Sequence, residues 1–207
     1  MSTSAAPADA GVLWLAALQR ALDRAAHDVK DALNGVSVNL EVVRSRASRG
    51  DAAASTIAPF ADAAAHQLDR LTALLDAVLA LGRGERGPVD VGITLRRVAA
   101  LCSASNAAND ARVTLREALV GDSRTSVASD AVRLALTAPL LDVVAGRTGE
   151  SRDPVVCELT GDRDAVVVRL LADRAVPMPA DAAESLRAVG VRWMESANEL
   201  SIVFPRA

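Results

Sequence analysis

Leu22-Asp23-Arg24-Ala25-Ala26-His27-Asp28-Val29-Lys30-Asp31-Ala32-Leu33 is the stretch that decides the fold. Its apolar residues return after three or four positions, the period of one face of an α-helix. The pattern extends both ways. Leu15, Leu22, Val29, Val36 and Val43 recur every seven residues, and Leu18, Ala25, Ala32, Leu33 and Leu40 fill the same stripe. A seven-residue repeat sustained this long marks a helix that packs lengthwise against others, as in a coiled coil or bundle. The helix is expected to begin near Val12, after a small, polar, proline-containing start over residues 1–9. Arg49-Gly50-Asp51 reads as the turn that ends it, with Gly50 as its C-cap.

A second helix follows with the same period. Ile57, Ala64, Leu71 and Val78 stand at sevens, with Ala61, Leu68 and Leu75 beside them. Pro59 either kinks it or marks its start. Gly82 to Pro88 is glycine-rich and reads as a linker. Two long amphipathic helices joined by a short turn make an antiparallel hairpin, and one hairpin leaves half of its apolar stripe uncovered. A symmetric homodimer that closes a four-helix bundle covers it most simply, and the rest of the same chain is the other candidate cover.

The 207 residues allow one large or two small domains, and half of them are hydrophobic, so the chain is globular. The aromatic residues are Trp14, Trp193, Phe60 and Phe204, too few for a base-stacking platform, and a net charge of −3 does not suit a phosphate backbone. Nucleic acid is therefore not an expected partner. Cys102 and Cys157 lack any metal-type spacing and read as buried thiols in a reducing compartment. The early apolar run Val12 to Leu18 is too short to span a bilayer and lacks a basic flank, so no membrane association and a cytoplasmic location are expected.

Beyond the linker the periodicity becomes mixed. Val91 to Asn109 reads as helix, Val113 to Leu119 as extended, and Asp130 to Arg147 as helix with Ser129 as N-cap. Pro154 to Leu159 and Ala165 to Leu171 read as strands about a Gly161-Asp162 turn. Ala180 to Val189 follows as a short helix, then Val191 to Met194 and Leu200 to Phe204 as a closing hairpin. The fold class is α+β: a helical hairpin over 10–83 and an α/β sandwich over 89–207, with helices on one face of a mixed sheet.

His27 is the residue with chemistry to offer. Leu22 and Val29 face the bundle, which turns His27 toward solvent among Asp23, Arg24, Lys30 and Asp31, with Arg20 and Asn34 extending the same surface. A neutral imidazole is a nucleophile near neutral pH, and a carboxylate that holds one ring nitrogen protonated leaves the other free to attack. Asp28, next in sequence, is the candidate carboxylate. His66, off the apolar stripe of the second helix, reads as a plain surface residue.

His27-Asp28-Val29-Lys30-Asp31-Ala32-Leu33-Asn34 resembles the acceptor helix of bacterial sensor histidine kinases at its histidine, acid, basic residue and leucine. Gln67-Leu68-Asp69-Arg70-Leu71-Thr72-Ala73-Leu74-Leu75-Asp76 is similar to that family's second bundle helix. The chain departs from the family at Asp31, where an amide or hydroxyl usually positions water for dephosphorylation, and at Ala32, which replaces a common proline. Val89-Asp90-Val91 and Arg112-Val113-Thr114-Leu115 are similar to the opening of the family's ATP-binding domain. Its remaining marks are missing. Pro139 and Val143 stand where that family's asparagines hold magnesium, and Leu171 to Pro177 carries no glycine where a glycine-rich box binds the nucleotide. Asp173 is either a relic of that box or, the preferred reading, a solvated acid at a strand end. A lid over the phosphates is missing as well.

The combination resembles the dimeric histidine phosphotransferases. The resemblance implies a homodimer without ATP, with His27 accepting phosphate from one response-regulator receiver domain and passing it to another, Asp28 orienting the ring. Arg20, Asp23, Arg24, Lys30, Asp31 and Asn34 would form the docking surface. It also implies that the chain binds no cofactor or metal itself, Mg2+ residing on the receiver, with a hybrid histidine kinase as a further partner. The alternative is a non-catalytic, pseudokinase-like dimer that binds receivers or a kinase and for which His27 is dispensable.

Overall fold

The computed structural model describes residues 9–49, 53–82, 87–105, 113–118, 122–145 and 153–207, without the side chains of Arg24, Asp28, Ala104, Ser105 and Ala145. The expected Gly50 cap and most of the linker lie outside the described residues, as do the side chains of Arg24 and Asp28.

Helix α1 (Ala10–Ala47) starts at Asp9, whose carboxylate accepts the Gly11 amide at 2.7 Å, and closes on Arg44 and Arg46, cations suited to the negative end of its dipole. Helix α2 (Ala54–Gly82) runs back along it and continues through Pro59. The expected single stripe of α1 is divided in the structure. Trp14, Ala17, Ala21, Ala25, Ala32 and Val36 are buried within the chain, whereas Leu15, Leu22, Leu33 and Leu40 are 62%, 39%, 49% and 51% exposed. Small alanines on the inner face let α2 approach closely, and the leucines stand to one side. On α2 the division repeats: Ala64, Leu71, Leu74 and Ala77 turn inward, and Leu68, Leu75 and Leu79 remain exposed.

The hairpin leads into a five-stranded sheet of order β2-β4-β5-β7-β6. Its strands are β2 (Val113–Glu117), β4 (Val155–Gly161), β5 (Ala165–Leu171), β6 (Arg192–Glu195) and β7 (Glu199–Pro205). β2 and β4 pair in parallel, as a crossover through a helix requires, and the other neighbours are antiparallel. Asp162 makes the β4–β5 turn by accepting the amides of Asp164 and Ala165, both at 2.9 Å. Period-two alternation buries Val166, Val168 and Leu170 of β5 beside Leu200, Ile202 and Phe204 of β7. Helices α3 (Val91–Ser105), α4 (Ser129–Ala145) and α5 (Ala180–Ala188) share the core with this face. The architecture is α+β, a helical pair followed by a helix-covered mixed sheet.

A separate ribbon pairs β1 (Val89–Asp90) with β3 (Arg124–Thr125), two strands too short to show a period in the sequence. Asp90 anchors it and N-caps α3, accepting the Ile93 amide at 2.8 Å and the Ser123 hydroxyl at 2.6 Å. Burial works against its charge. The Ser123 hydroxyl, the Ile93 amide, the Arg96 guanidinium and the Gly92 amide outweigh that effect and hold its pKa below the ordinary 3.8. Stability tied to a lowered carboxylate is complete above the unfolded value and lost as pH falls through the native one. Asp90→Ala should therefore cost about 1–2 kcal/mol at neutral pH, with the difference from wild type narrowing in acid. Urea denaturation across that range would check it.

Helix α4 is buried from Ala131 to Leu141 without a break. The first turns of α1 cover the side that a sheet-packed helix ordinarily leaves to water, and α3 and α5 flank it. Trp14 sits in this contact under the Arg133 guanidinium, 5.9 Å from ring centroid to Cζ, while Arg133 pairs with Asp130 at 3.5 Å. One hydrophobic cluster consequently runs from Trp14 and Leu81 of the hairpin to Phe204 of the sheet. Cys102 and Cys157 are both buried, and burial pushes the Cys157 thiol up to about 12. Among the described residues no helix is long and apolar enough to cross a membrane.

Candidate functional site

At about 100° per residue along α1, Arg20, Asp23, His27, Lys30, Asp31 and Asn34 fall within a sweep of about 100°. All six are exposed. The exposed leucines Leu15, Leu22, Leu33 and Leu40 lie roughly 120–140° away round the same helix. α1 therefore has three faces: one buried in its own chain, one apolar and open, and one polar that carries His27. The backbone builds this surface without special geometry, because a continuous helix fixes every Cβ on it.

Asp23 and Asp31 flank His27 one turn before and one turn after, the spacing at which side chains on a helix are neighbours. Lys30 stands on the same side, three residues on. The side chains of Asp28 and Arg24, the candidate orienting acid and a candidate docking cation, lie outside the described residues. Such a surface offers an unobstructed nucleophile with charges of both signs around it. His66 is likewise exposed, on α2.

One contact between α1 and α2 joins residues far apart in the sequence. At Gly35, two turns beyond His27, a Cβ would come within 2.4 Å of Gln67 Nε2. The absent side chain lets the Gln67 amide cross between the helices. Its Oε1 is buried, with no hydrogen-bond partner among the described residues. A glycine inside a long helix was the only available signal, and it pointed to close approach without naming the partner.

In the second half of the chain, Pro139 and Val143 are buried within α4. The stretch after β5 lies flat against the body. Ala172 donates its amide to Asn198 at 3.0 Å, an Arg174 guanidinium nitrogen donates to the Val143 carbonyl, and the Met178 amide donates to Glu195 at 2.9 Å. Val176 and Met178 are 1% and 6% exposed, so their side chains fasten this stretch into the core. Arg174 thereby satisfies one of the carbonyls that a helix leaves open at its C-terminal turn. Asp173 is exposed. Among the described residues, no group of three or more His, Cys, Asp or Glu side chains is placed to hold a metal ion.

No protein-family model matches the chain, and no curated protein matches it. Solved structures do. The chain is similar to the histidine kinase AdeS of Acinetobacter baumannii, with 6% identity, covering 81% of this chain and 94% of that one, at a TM-score of 0.43. It is also similar to the histidine kinase domain of a blue-light-activated histidine kinase from Erythrobacter litoralis EL346, with 12% identity, 90% and 94% coverage and a TM-score of 0.38. A bacterial phosphotransferase shows 13% identity, 90% and 94% coverage and a TM-score of 0.38. The likeness is distant, with identities of 13% or less and TM-scores below 0.5 in these three.

Proposed function

We propose that this protein is a histidine phosphotransferase of a two-component phosphorelay, with residues 10–83 as its transfer and dimerisation region and 89–207 as a body that does not use ATP. His27 takes the phosphoryl group from the aspartyl phosphate of one receiver domain and yields it to the aspartate of another. Magnesium belongs to the receiver, and this chain supplies a nucleophile, Asp28 as the orienting acid and the docking face of Arg20, Asp23, Arg24, Lys30, Asp31 and Asn34. Positioning and electrostatics carry most of such a reaction.

The observation that carries this reading is the placement of His27: exposed, at the centre of a polar face, and turned away from an equally exposed apolar face. The first face fits a partner domain, the second a second copy of the chain. Two features of the body support a reading without ATP. Buried Pro139 and Val143 offer no metal ligand, and the stretch from Ala172 to Met178 is pinned down rather than arched over a site. Incubation with labelled ATP and magnesium should leave the protein unlabelled, whereas a phosphorylated receiver should label it. Label taken from ATP alone would refute the ATP-independent part. The binding-protein reading retains one observation in its favour, the carboxylate of Asp31 where an amide or hydroxyl is usual. It would be preferred if a receiver binds the chain and delivers nothing.

A further inference from the structure

We infer that Asp31 sets the phosphoryl-transfer potential of phospho-His27, making it a transient carrier that favours onward delivery over storage. This rests on the phosphotransfer reading above. Residues 23–31, one turn either side of His27, hold Asp23, Asp28 and Asp31 against Arg24 and Lys30, an excess of one negative charge. Asp31 is exposed and lies one helical turn from His27 on the same face, so Cβ atoms are about 5–6 Å apart. Among the described residues neither Asp31 nor Asp23 has an ion-pair or hydrogen-bond partner that would neutralise it.

Among the described side chains, little else on the helix compensates. His27 lies in the middle of a 38-residue helix, far from the N-terminal end whose amides and dipole attract phosphate. Lys30 is the one cation with a described side chain within a turn, and Arg20 is two turns away.

In the transfer step an unprotonated imidazole nitrogen attacks the phosphorus of the receiver's aspartyl phosphate. A P–N bond forms as the P–O bond breaks, the receiver carboxylate leaves with the electron pair, and the proton on the ring's other nitrogen passes to solvent, so the ring ends neutral. The phosphoryl dianion left on the ring then faces the Asp31 carboxylate. Their repulsion raises the energy of the phosphorylated form and is relieved when the group moves on to another aspartate. A dianion and a carboxylate roughly 7 Å apart in water should shift the equilibrium about sevenfold at low salt, and about two- to threefold at physiological ionic strength.

The test is the plateau partition of label between free receiver and free protein, starting from a labelled, phosphorylated receiver, at low and high salt. Asp31→Asn should raise the ratio of phosphohistidine to phosphorylated receiver by those factors, Lys30→Gln should lower it, and both effects should shrink with salt. A partition between free species does not depend on docking affinity, so weaker docking of either variant cannot mimic the result. An unchanged or salt-independent partition in Asp31→Asn, with wild type labelled, would overturn this inference alone. A wild type that takes no label from receivers that bind it would overturn the transfer reading and this inference together.

Discussion

Leu33→Asp is expected to turn a dimer into a monomer. Leu33 is 49% exposed and stands with Leu15, Leu22 and Leu40 on a face of α1 that the described residues leave open. Leu68, Leu75 and Leu79 of α2 are also exposed, at 47%, 56% and 59%. Fully burying an exposed leucine contributes roughly 1.5–3 kcal/mol, and about half of that is still to be gained at each of these half-covered side chains, so a second copy has much to gain by covering them. An aspartate there would be desolvated in the seam without a partner. The cost is on the order of 3 kcal/mol per position, met twice in a symmetric dimer, which weakens association by roughly four orders of magnitude. Sedimentation should show the wild type as a dimer and the variant as a folded monomer. A monomeric wild type would refute the bundle. Val29 is a poorer choice for this test, because it is half-buried against its own chain and its loss would disturb the fold as well.

His27→Ala is expected to abolish phosphate acceptance while leaving the protein intact. The imidazole is exposed in mid-helix, and alanine is the stronger helix former by a few tenths of a kcal/mol. Exposed substitutions of this kind usually change stability by less than about 0.5 kcal/mol. Nothing else at the face can replace the nucleophile, since its neighbours are carboxylates, cations and an amide. Circular dichroism and thermal unfolding should match the wild type, and label transfer should fall to background. A variant that still accepts label would move the acceptor elsewhere, with the exposed His66 the next residue to change.

Much of the fold was legible because local periods report local structure. The seven-residue repeat places α1 at Ala10–Ala47, close to the expected Val12 start and Arg49 turn. Alternation places β4, β5, β6 and β7 within a residue or two of their bounds. Long-range packing was not legible. The sequence shows one apolar stripe on α1, whereas the structure divides it, because Trp14 and the alanines bury themselves against α2 and α4 and leave the leucines outside. Burial of both sides of α4 follows from a helix more than 80 residues earlier in the chain, which no window on α4 reveals. The two-residue ribbon at Val89–Asp90 and Arg124–Thr125 is fixed by Asp90 and Ser123, again a distant pair. Around the candidate site, the shared exposed face of His27 and its charged neighbours follows from helix geometry alone. The Gln67–Gly35 crossing and the Arg174 contact with α4 depend on tertiary placement and could not be anticipated.

Mixing the wild-type protein with a labelled, phosphorylated receiver domain and following the label separates a phosphate carrier from a docking protein. Label should appear on this chain in an acid-labile, alkali-stable form, the behaviour of a phosphoramidate rather than an acyl phosphate, and should then move to a second, unlabelled receiver. Receivers that bind the chain yet leave it unlabelled would contradict phosphotransfer through His27 and establish a docking protein in place of a phosphate carrier.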